Sequence, residues 1–246
     1  MLIKLRTQVK GCHFGSIYSF GDSSSLLDFK DGRSSSSDQG LLQVVDYLDC
    51  RQKLKKSIFL VGQIGANDYN YAFFQGKTMN EVVGYVPEVV QTIKDALKRL
   101  IHMGAVNLIV PGSLPMGCLP SYLTMLHNDH LEQALTELRF EHPRVHIVYA
   151  SYYDAFIALL HNRAVLGFQK SSLRKACCGN GGSYNFDSSR MCGAEGVPVC
   201  SNPTKHVHWD GIHLTEEAYK LMVEGFISGN FVIPKLRIPE RWHCVM

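Results

Sequence analysis

The sequence predicts an α/β fold of three layers, αβα, built around a mainly parallel sheet. Short apolar runs recur along the chain, and segments with the apolar spacing of helices lie between them. Strands that alternate with helices in this way are typical of parallel sheets. The chain has 246 residues, of which 46% are hydrophobic, enough for one substantial core. We therefore expect a single domain over residues 1–246.

Four apolar runs are predicted to form the strands. They are rich in β-branched and aromatic residues, and turn-forming residues lie near their ends. The second run does not alternate apolar with polar residues, which indicates a strand covered on both faces. The runs are GSIYSF at 15–20, SIFLVGQIG at 57–65, AVNLIVPG at 105–112 and RVHIVYA at 144–150.

The helices are predicted from apolar spacing and from their end signals. Thr78 and Glu81 have the spacing of a capping box, and Gly104 is the expected stop of the long apolar stripe that follows. Pro87 interrupts this stripe and should kink or divide the helix. Thr215 is the expected cap of the last helix. Further helices are predicted at 41–48, 129–140 and 152–166.

Other segments lack such periodicity. The serine run at 34–37 is predicted to be a loop, because small polar side chains bury too little apolar area to offset the entropy of ordering. The glycines at 179, 181 and 182 indicate a turn, since they do not link a strand to a helix as a phosphate cradle would. Residues 1–14 and 231–246 are expected to be poorly ordered.

Four of the eight cysteines crowd one glycine-rich stretch, at positions 177, 178, 192 and 200. This predicts disulfides and an oxidising compartment, although eight cysteines allow 105 pairings. The alternative is a zinc site that uses these thiols with His206 and His208. The cysteine spacing matches none of the usual zinc patterns, so we expect disulfides, no metal and no other cofactor.

The charge distribution favours neither nucleic acid nor an anionic membrane as a partner. The net charge is +3, and the 25 basic and 22 acidic residues are scattered along the chain. The cluster Lys53, Lys55 and Lys56 is interpreted as the solvated face of a helix. The opening MLIKLRTQVK is not followed by an apolar run, which predicts no signal peptide, and no stretch is long enough to span a bilayer.

Three polar blocks carry the groups that acyl transfer by a serine requires. Ser23 follows the first predicted strand in GDS, Asn67 follows the second in GAND, and Asp210 and His213 precede the last helix in WDGIH. Such catalysis needs a nucleophile, an imidazole base, a carboxylate to orient the base, and oxyanion donors. Each block alone is usually an ordinary turn, but their conjunction predicts a hydrolase. The sequence contains no GxSxG motif.

These blocks resemble the GDSL esterases and lipases, also called SGNH hydrolases, and within them the plant group. The similar segments include SIYSFGDSSSL, the run from SIFLVGQIGANDYNY to PGSLPMGCLPSYLT, KACCGNGGSYNF, MCGAEGVPVC and HWDGIHLTEEAY. The resemblance implies a flavodoxin-like fold and a carboxylic ester hydrolase that acts on a small-molecule ester. It also implies export from the cell.

The same resemblance implies a role for each site residue. Ser23 is the nucleophile, His213 the general base, and Asp210 the residue that orients the base. The oxyanion hole is formed by the backbone N–H of Ser23 and the side chain of Asn67, together with a glycine from another block. Neither Gly32 nor Gly40 stands in that glycine's usual context.

The chain departs from the family in two intervals. Only 44 positions separate Ser23 from Asn67, which predicts a sheet that lacks its second strand and leaves an edge unpaired. The segment after Thr124 is also short, so Cys118 is expected to lack its usual partner. With the missing leader, these departures predict a truncated or alternatively assembled chain. A binding protein without catalysis is therefore the alternative to an esterase.

Aromatic residues cluster directly after the GAND block. They are predicted either to line an acyl or aromatic substrate pocket or to pack in the core, and the sequence leaves both readings open. They are Tyr69, Tyr71, Phe73 and Phe74.

Overall fold

The computed structural model describes residues 3–5, 16–20, 52–115, 120–187 and 189–235. Several sequence predictions fall outside these ranges and stay predictions: the position of the nucleophile Ser23, the loop at 34–37, the helix at 41–48, and the surroundings of Gly32, Gly40 and Cys118.

The described strands form a six-stranded sheet in the order β1-β2-β3-β4-β5-β6. The four strands from β2 to β5 are parallel, and one antiparallel strand pairs at each edge. The prediction of an α/β fold with a mainly parallel sheet is confirmed. The strands are β1 Ile3–Leu5, β2 Ser16–Phe20, β3 Ser57–Val61, β4 Asn107–Pro111, β5 His146–Ala150 and β6 Val232–Ile233.

The edge of the sheet beside β2 differs from the prediction. As expected without a second parallel strand, β2 pairs directly with β3, with Ser16 opposite Ser57. The far side of β2 was expected to be unpaired, but β1 runs antiparallel along it, with Ile3 opposite Ser19. That expectation was wrong because the N-terminal segment supplies partners for the backbone N–H and C=O groups that an edge strand exposes. The sequence predicted neither β1 nor β6.

The second predicted strand is shorter than its apolar run. β3 ends at Val61, and its side chains alternate between buried and half-buried positions, so only one face, formed by Ser57, Phe59 and Val61, is fully covered. Phe59 stacks on Tyr18 of β2, with ring centroids 5.1 Å apart. Residues 62–65 leave the strand as a loop and carry the chain into the first helix.

The helices after residue 78 follow the predicted stripes, with shifted ends, whereas α1 was not predicted from the sequence. The helix predicted at 129–140 begins eight residues earlier, and the one predicted at 152–166 ends at His161. The helices are α1 Ala66–Phe74, α2 Met79–Val83, α3 Val86–Met103, α4 Ser121–Glu141, α5 Tyr152–His161 and α6 Glu216–Ile227.

The predicted capping signals are confirmed. The Thr78 backbone N–H donates to Glu81 Oε2 at 2.8 Å, and Thr78 Oγ1 accepts from the Glu81 backbone N–H at 3.4 Å. Pro87 divides the apolar stripe, because it lies in the first turn of α3, where its missing N–H costs nothing. Gly104 ends α3 in the left-handed conformation, at φ 112°.

The described residues divide into two compact units. The first holds the sheet and α1 to α4, and the second comprises 114–120 and 152–231, with α5 and α6. In the first unit, α3 and α4 each bury one apolar stripe. The prediction of a single domain stays a prediction. None of the helices in the described part of the chain is long and apolar enough to cross a membrane.

Candidate active site

A short closed loop of the second unit carries Asp210 and His213. An antiparallel bridge joins His208 to Leu214, and inside it the Trp209 N–H donates to the His213 carbonyl at 2.9 Å. Directly after the loop, the side chain of Thr215 caps α6 by accepting from the Ala218 N–H, as the sequence predicted. The loop is thereby held at both ends, so its tip presents Asp210 and His213 together.

Asp210 and His213 form a hydrogen-bonded pair. Asp210 Oδ2 lies 2.8 Å from His213 Nδ1. Asp210 Oδ1 accepts two backbone hydrogen bonds, from Ile212 at 2.7 Å and from His213 at 2.6 Å. The carboxylate thus holds both the ring and the backbone of His213, which fixes the plane of the imidazole.

The electrostatics of the pair assign the protons. Partial burial alone would raise the pKa of Asp210, but the hydrogen bonds from His213 and Ile212 outweigh it and lower that pKa. The carboxylate is therefore ionised and can only accept, so Nδ1 of His213 carries a hydrogen, and in the neutral imidazole the lone pair is then on Nε2. The side chain of Asp210 is 15% exposed, while that of His213 is 58% exposed. A sheltered carboxylate thus orients an accessible imidazole.

The cysteine-rich segment anchors this loop through its backbone. The Cys177 N–H donates to the His208 carbonyl at 2.9 Å, and the Cys178 N–H donates to the Trp209 carbonyl at 2.7 Å. The prediction of disulfides is confirmed: Cys177 pairs with Cys200, and Cys178 pairs with Cys192. The two bridges tie the strand-like backbone beside Asp210 to the rest of the segment.

The zinc alternative does not fit this arrangement. The side-chain ligand atoms of Cys177, Cys200 and His206 lie within 4.8 Å of one another, but both sulfurs are bonded to each other. The ring of His208 packs edge-on against Phe156, with centroids 6.1 Å apart, and burial lowers its pKa. Both histidines therefore serve packing and hydrogen bonding within the second unit.

Two glycines permit close approaches near the loop. A Cβ at Gly179 would lie 1.6 Å from the Asn185 carbonyl oxygen, and one at Gly211 would lie 2.1 Å from the Phe186 ring. Gly211 lies between Asp210 and His213, so its missing side chain lets Phe186 pack directly against the tip of the loop.

Asn67 lies in the first turn of α1, in the first unit. Gly65 caps this helix in the left-handed conformation, at φ 105°, where a Cβ would lie 2.8 Å from Val89 and 3.2 Å from His127. α1 therefore sits close against α3 and α4, and glycine is required at this turn. Asn67 itself is half-buried.

A buried hydrogen bond that the sequence analysis did not predict also holds α1. Tyr69 Oη lies 2.9 Å from Nδ1 of His127 on α4. Burial, with the charge of Asp68, raises the pKa of Tyr69, while burial and His130 lower the pKa of His127 to about 4. Both side chains are thus neutral at pH 7, so the hydrogen bond joins two uncharged groups.

Asn128, the next residue of α4, makes a second buried polar contact. Its side chain accepts from the Ser113 N–H at 2.7 Å and donates to the Ser113 carbonyl at 3.2 Å, which holds the loop after β4. The signal for both contacts lay in the sequence, since His127 and Asn128 are polar residues on a mainly apolar helical stripe. The apolar residues of that stripe are Leu123, Leu131, Ala134, Leu135 and Leu138.

The structure brings two of the four predicted site residues into contact. Asp210 and His213 are paired in the second unit, Asn67 is placed on α1 in the first, and Ser23 lies outside the described residues. The aromatic residues of α1 are divided between the two readings that the sequence left open. Tyr69 is fully buried, whereas Tyr71 and Phe74 are exposed.

Comparison with known proteins decides the family. Residues 17–226 match the GDSL-like lipase/acylhydrolase family. The chain belongs to this family. A GDSL esterase/lipase of Arabidopsis thaliana is 47% identical over 197 residues, and two others are each 40% identical over 221 residues. The prediction that the chain is a member of the GDSL family, with relatives in plants, is confirmed.

The alignments with these GDSL relatives cover a larger share of this chain than of the relatives. The alignments include 71% and 80% of this chain, but 59% and 54% of the first two relatives. The chain therefore spans little more than half the length of the curated relatives that it matches. Asn67, Asp210 and His213 all lie inside the stretch that matches the GDSL family.

Proposed function

We propose that this GDSL-family chain is a carboxylic ester hydrolase with Ser23 as nucleophile, His213 as general base and Asp210 as the group that orients the base. One observation carries the proposal, namely the 2.8 Å contact between Asp210 Oδ2 and His213 Nδ1, which in the neutral imidazole leaves the lone pair on Nε2 of an exposed ring. The names of the Arabidopsis relatives, all GDSL esterase/lipases, support the same reaction class.

The proposed reaction has two half-reactions. Nε2 of His213 removes the proton of Ser23 Oγ while the oxygen attacks the ester carbonyl carbon, and the imidazolium then returns that proton to the leaving alcohol. The Asn67 side-chain amide donates to the oxyanion of the tetrahedral intermediate. In the second half, His213 activates a water that attacks the acyl-enzyme, which releases the acid and regenerates Ser23.

The ionised Asp210 contributes in both halves. It holds Nδ1–H, so that Nε2 faces the reaction, and its negative charge stabilises the imidazolium that forms after proton transfer. No cofactor is needed for this chemistry, because every proton moves between side chains, the substrate and water.

Hydrolysis of p-nitrophenyl butyrate tests the proposal. Ser23→Ala should lower kcat/KM by about 10³-fold or more, because both the nucleophile and its proton are removed. The wild-type chain should also be labelled at Ser23 by a fluorophosphonate, as determined by peptide mass spectrometry. Ser121→Ala, which changes an exposed serine at the start of α4, is the matched control and should keep wild-type activity.

The binding alternative makes the opposite prediction. It is motivated by the 44 positions between Ser23 and Asn67, an interval too short for the family's second strand and glycine block. Equal rates for wild type and Ser23→Ala, with no fluorophosphonate label, would support that alternative and refute the esterase.

A further inference from the structure

The exposed aromatic side chains of α1 lie on the same helix face as the proposed oxyanion donor. Tyr71 follows Asn67 by four residues, and Phe74 follows it by seven. At about 3.6 residues per turn, the three positions fall within an arc of about 60°. The buried residues Tyr69 and Ala72 occupy the opposite side of α1, so the helix separates its core face from this one.

Exposure distinguishes this pair from the other aromatics of the helix. Tyr71 is 55% exposed and Phe74 is 62% exposed, whereas Tyr69 is fully buried. Single exposed apolar residues are common on protein surfaces and need no explanation. Here, however, two exposed aromatic residues share one helix face with the residue that would hold the carbonyl oxygen of an ester. That alignment is what calls for a ligand.

We propose that Tyr71 and Phe74 form an apolar ledge that binds the acyl chain of the substrate. The inference rests on the proposed function, since it needs Asn67 to hold the ester carbonyl oxygen. The acyl chain is attached to that carbonyl carbon in both half-reactions, whereas the alcohol leaves after the first. A surface that continues from the oxyanion donor can therefore act on the acyl chain throughout turnover.

The helix geometry sets the length of chain that the ledge accepts. With a rise of about 1.5 Å per residue, Tyr71 lies about 6 Å and Phe74 about 10 Å along the axis from Asn67. An extended chain advances roughly 1.2 Å per bond, so about five bonds reach Tyr71 and about eight reach Phe74. An acetyl group reaches neither ring, a butyryl group approaches Tyr71, and an octanoyl group, whose last carbon is eight bonds from the carbonyl oxygen, passes Tyr71 and just reaches Phe74.

The chain-length profile of hydrolysis tests the ledge. We would measure kcat/KM for p-nitrophenyl acetate, butyrate and octanoate with wild type, Tyr71→Ala, Phe74→Ala and Phe74→Leu. Phe74→Ala should lower the octanoate value about tenfold and change the acetate value less than twofold, because only the long chain loses an apolar contact. Tyr71→Ala should lower octanoate and butyrate, and Phe74→Leu should restore most of the octanoate rate.

The matched control is Phe140→Ala, since Phe140 is a phenylalanine of α4 that is 90% exposed. It should leave all three esters at the wild-type values. A uniform loss across the three esters in Phe74→Ala would overturn the ledge, because it would indicate disturbed folding or positioning. An unchanged profile would also overturn it.

Two further outcomes separate this inference from the proposal beneath it. Suppose that hydrolysis depends on Ser23, but that Phe74→Ala has the same kcat/KM as wild type for all three esters. This result would refute the ledge and leave the esterase intact. Absence of Ser23-dependent hydrolysis in the wild-type chain would refute both. If Phe74→Ala instead lowered the rate on acetate esters of long alcohols, the ledge would belong to the alcohol side and the acyl assignment would be wrong.

Discussion

His213 presents its ring to solvent while the carboxylate that orients it is sheltered. Asp210 accepts three hydrogen bonds, one from the imidazole and two from backbone N–H groups, and these lower its pKa despite partial burial. A carboxylate held in this way stays ionised across the pH range in which an imidazole can act as a base. The carboxylate therefore keeps the His213 ring in one orientation.

Asp210→Asn should reduce ester hydrolysis by about 10⁴-fold, a magnitude taken from the equivalent change in serine proteases. An asparagine amide can donate to Nδ1, which would favour the tautomer with its hydrogen on Nε2, the nitrogen that must accept the serine proton. Stopped assays of p-nitrophenyl butyrate would measure the loss. Asp129→Asn, at an exposed position of α4, should stay at the wild-type rate. A loss below tenfold in Asp210→Asn would show that the carboxylate does not orient the base.

At the scale of elements, buried polar contacts and disulfides set the positions of the segments that carry the site residues. α1 is joined to α4 by Tyr69 and His127, and the loop of Asp210 is joined to the cysteine-rich segment by two backbone hydrogen bonds. Each connection couples the stability of the chain to a solution condition. The first depends on pH, because His127 can be protonated. The second depends on the redox state, because disulfides hold the cysteine-rich segment.

His127 should make stability depend on pH. Its pKa in the folded chain is about 4, below the value of about 6.5 for an unfolded histidine, so unfolded chains bind a proton first as the pH falls. Its contribution is complete above pH 6.5 and is lost progressively down to about pH 4, by about 3 kcal/mol in total. Urea unfolding at several pH values would measure this loss.

The matched variants for this prediction are His127→Gln and His102→Gln. Glutamine at 127 can still accept from Tyr69 but does not titrate, so its free energy of unfolding should fall less between pH 7 and 4 than that of wild type. His102 is exposed near the end of α3, and its variant should follow the wild-type curve. Parallel curves for wild type and His127→Gln would contradict the assignment.

The Cys177–Cys200 bridge should contribute to stability by restricting the unfolded chain. It closes a loop with a sequence separation of 23, for which loop entropy predicts about 3 kcal/mol. The double variant Cys177→Ser with Cys200→Ser should lose about this much in urea unfolding. Its esterase activity should also fall, because Cys177 holds the His208 carbonyl. Ser201→Ala, beside the bridge, should unfold like wild type, and an unchanged midpoint in the double variant would refute the prediction.

At the scale of the whole molecule, the short strand β1 covers the backbone N–H and C=O groups at one edge of the sheet. Because β2 pairs directly with β3, the far side of β2 would present unpaired backbone groups if β1 did not cover it. Such an edge is a template for pairing with another chain. We therefore expect the three-residue β1 to protect this edge of the sheet.

Deletion of residues 1–7 should cause self-association. The shortened chain should elute at a larger size as its concentration rises in size-exclusion chromatography, while the full chain keeps a constant elution volume. Lys4→Ala keeps every backbone group of β1 and should behave like the full chain. Identical, concentration-independent elution of the deletion variant would show that β1 is not what protects the edge.

The sequence by itself determined the four central strands, the caps at Thr78 and Thr215, the division at Pro87 and the pair of Asp210 with His213, because each depends on neighbours within a few residues. Apolar spacing and capping chemistry are local, so they can be read without coordinates. The pairing of the four cysteines, the covering of β2 by β1 and the contact of Tyr69 with His127 were decided only by the tertiary structure. These join residues that are distant in the chain, and many partners satisfy the same local pattern until packing brings one of them within bonding distance.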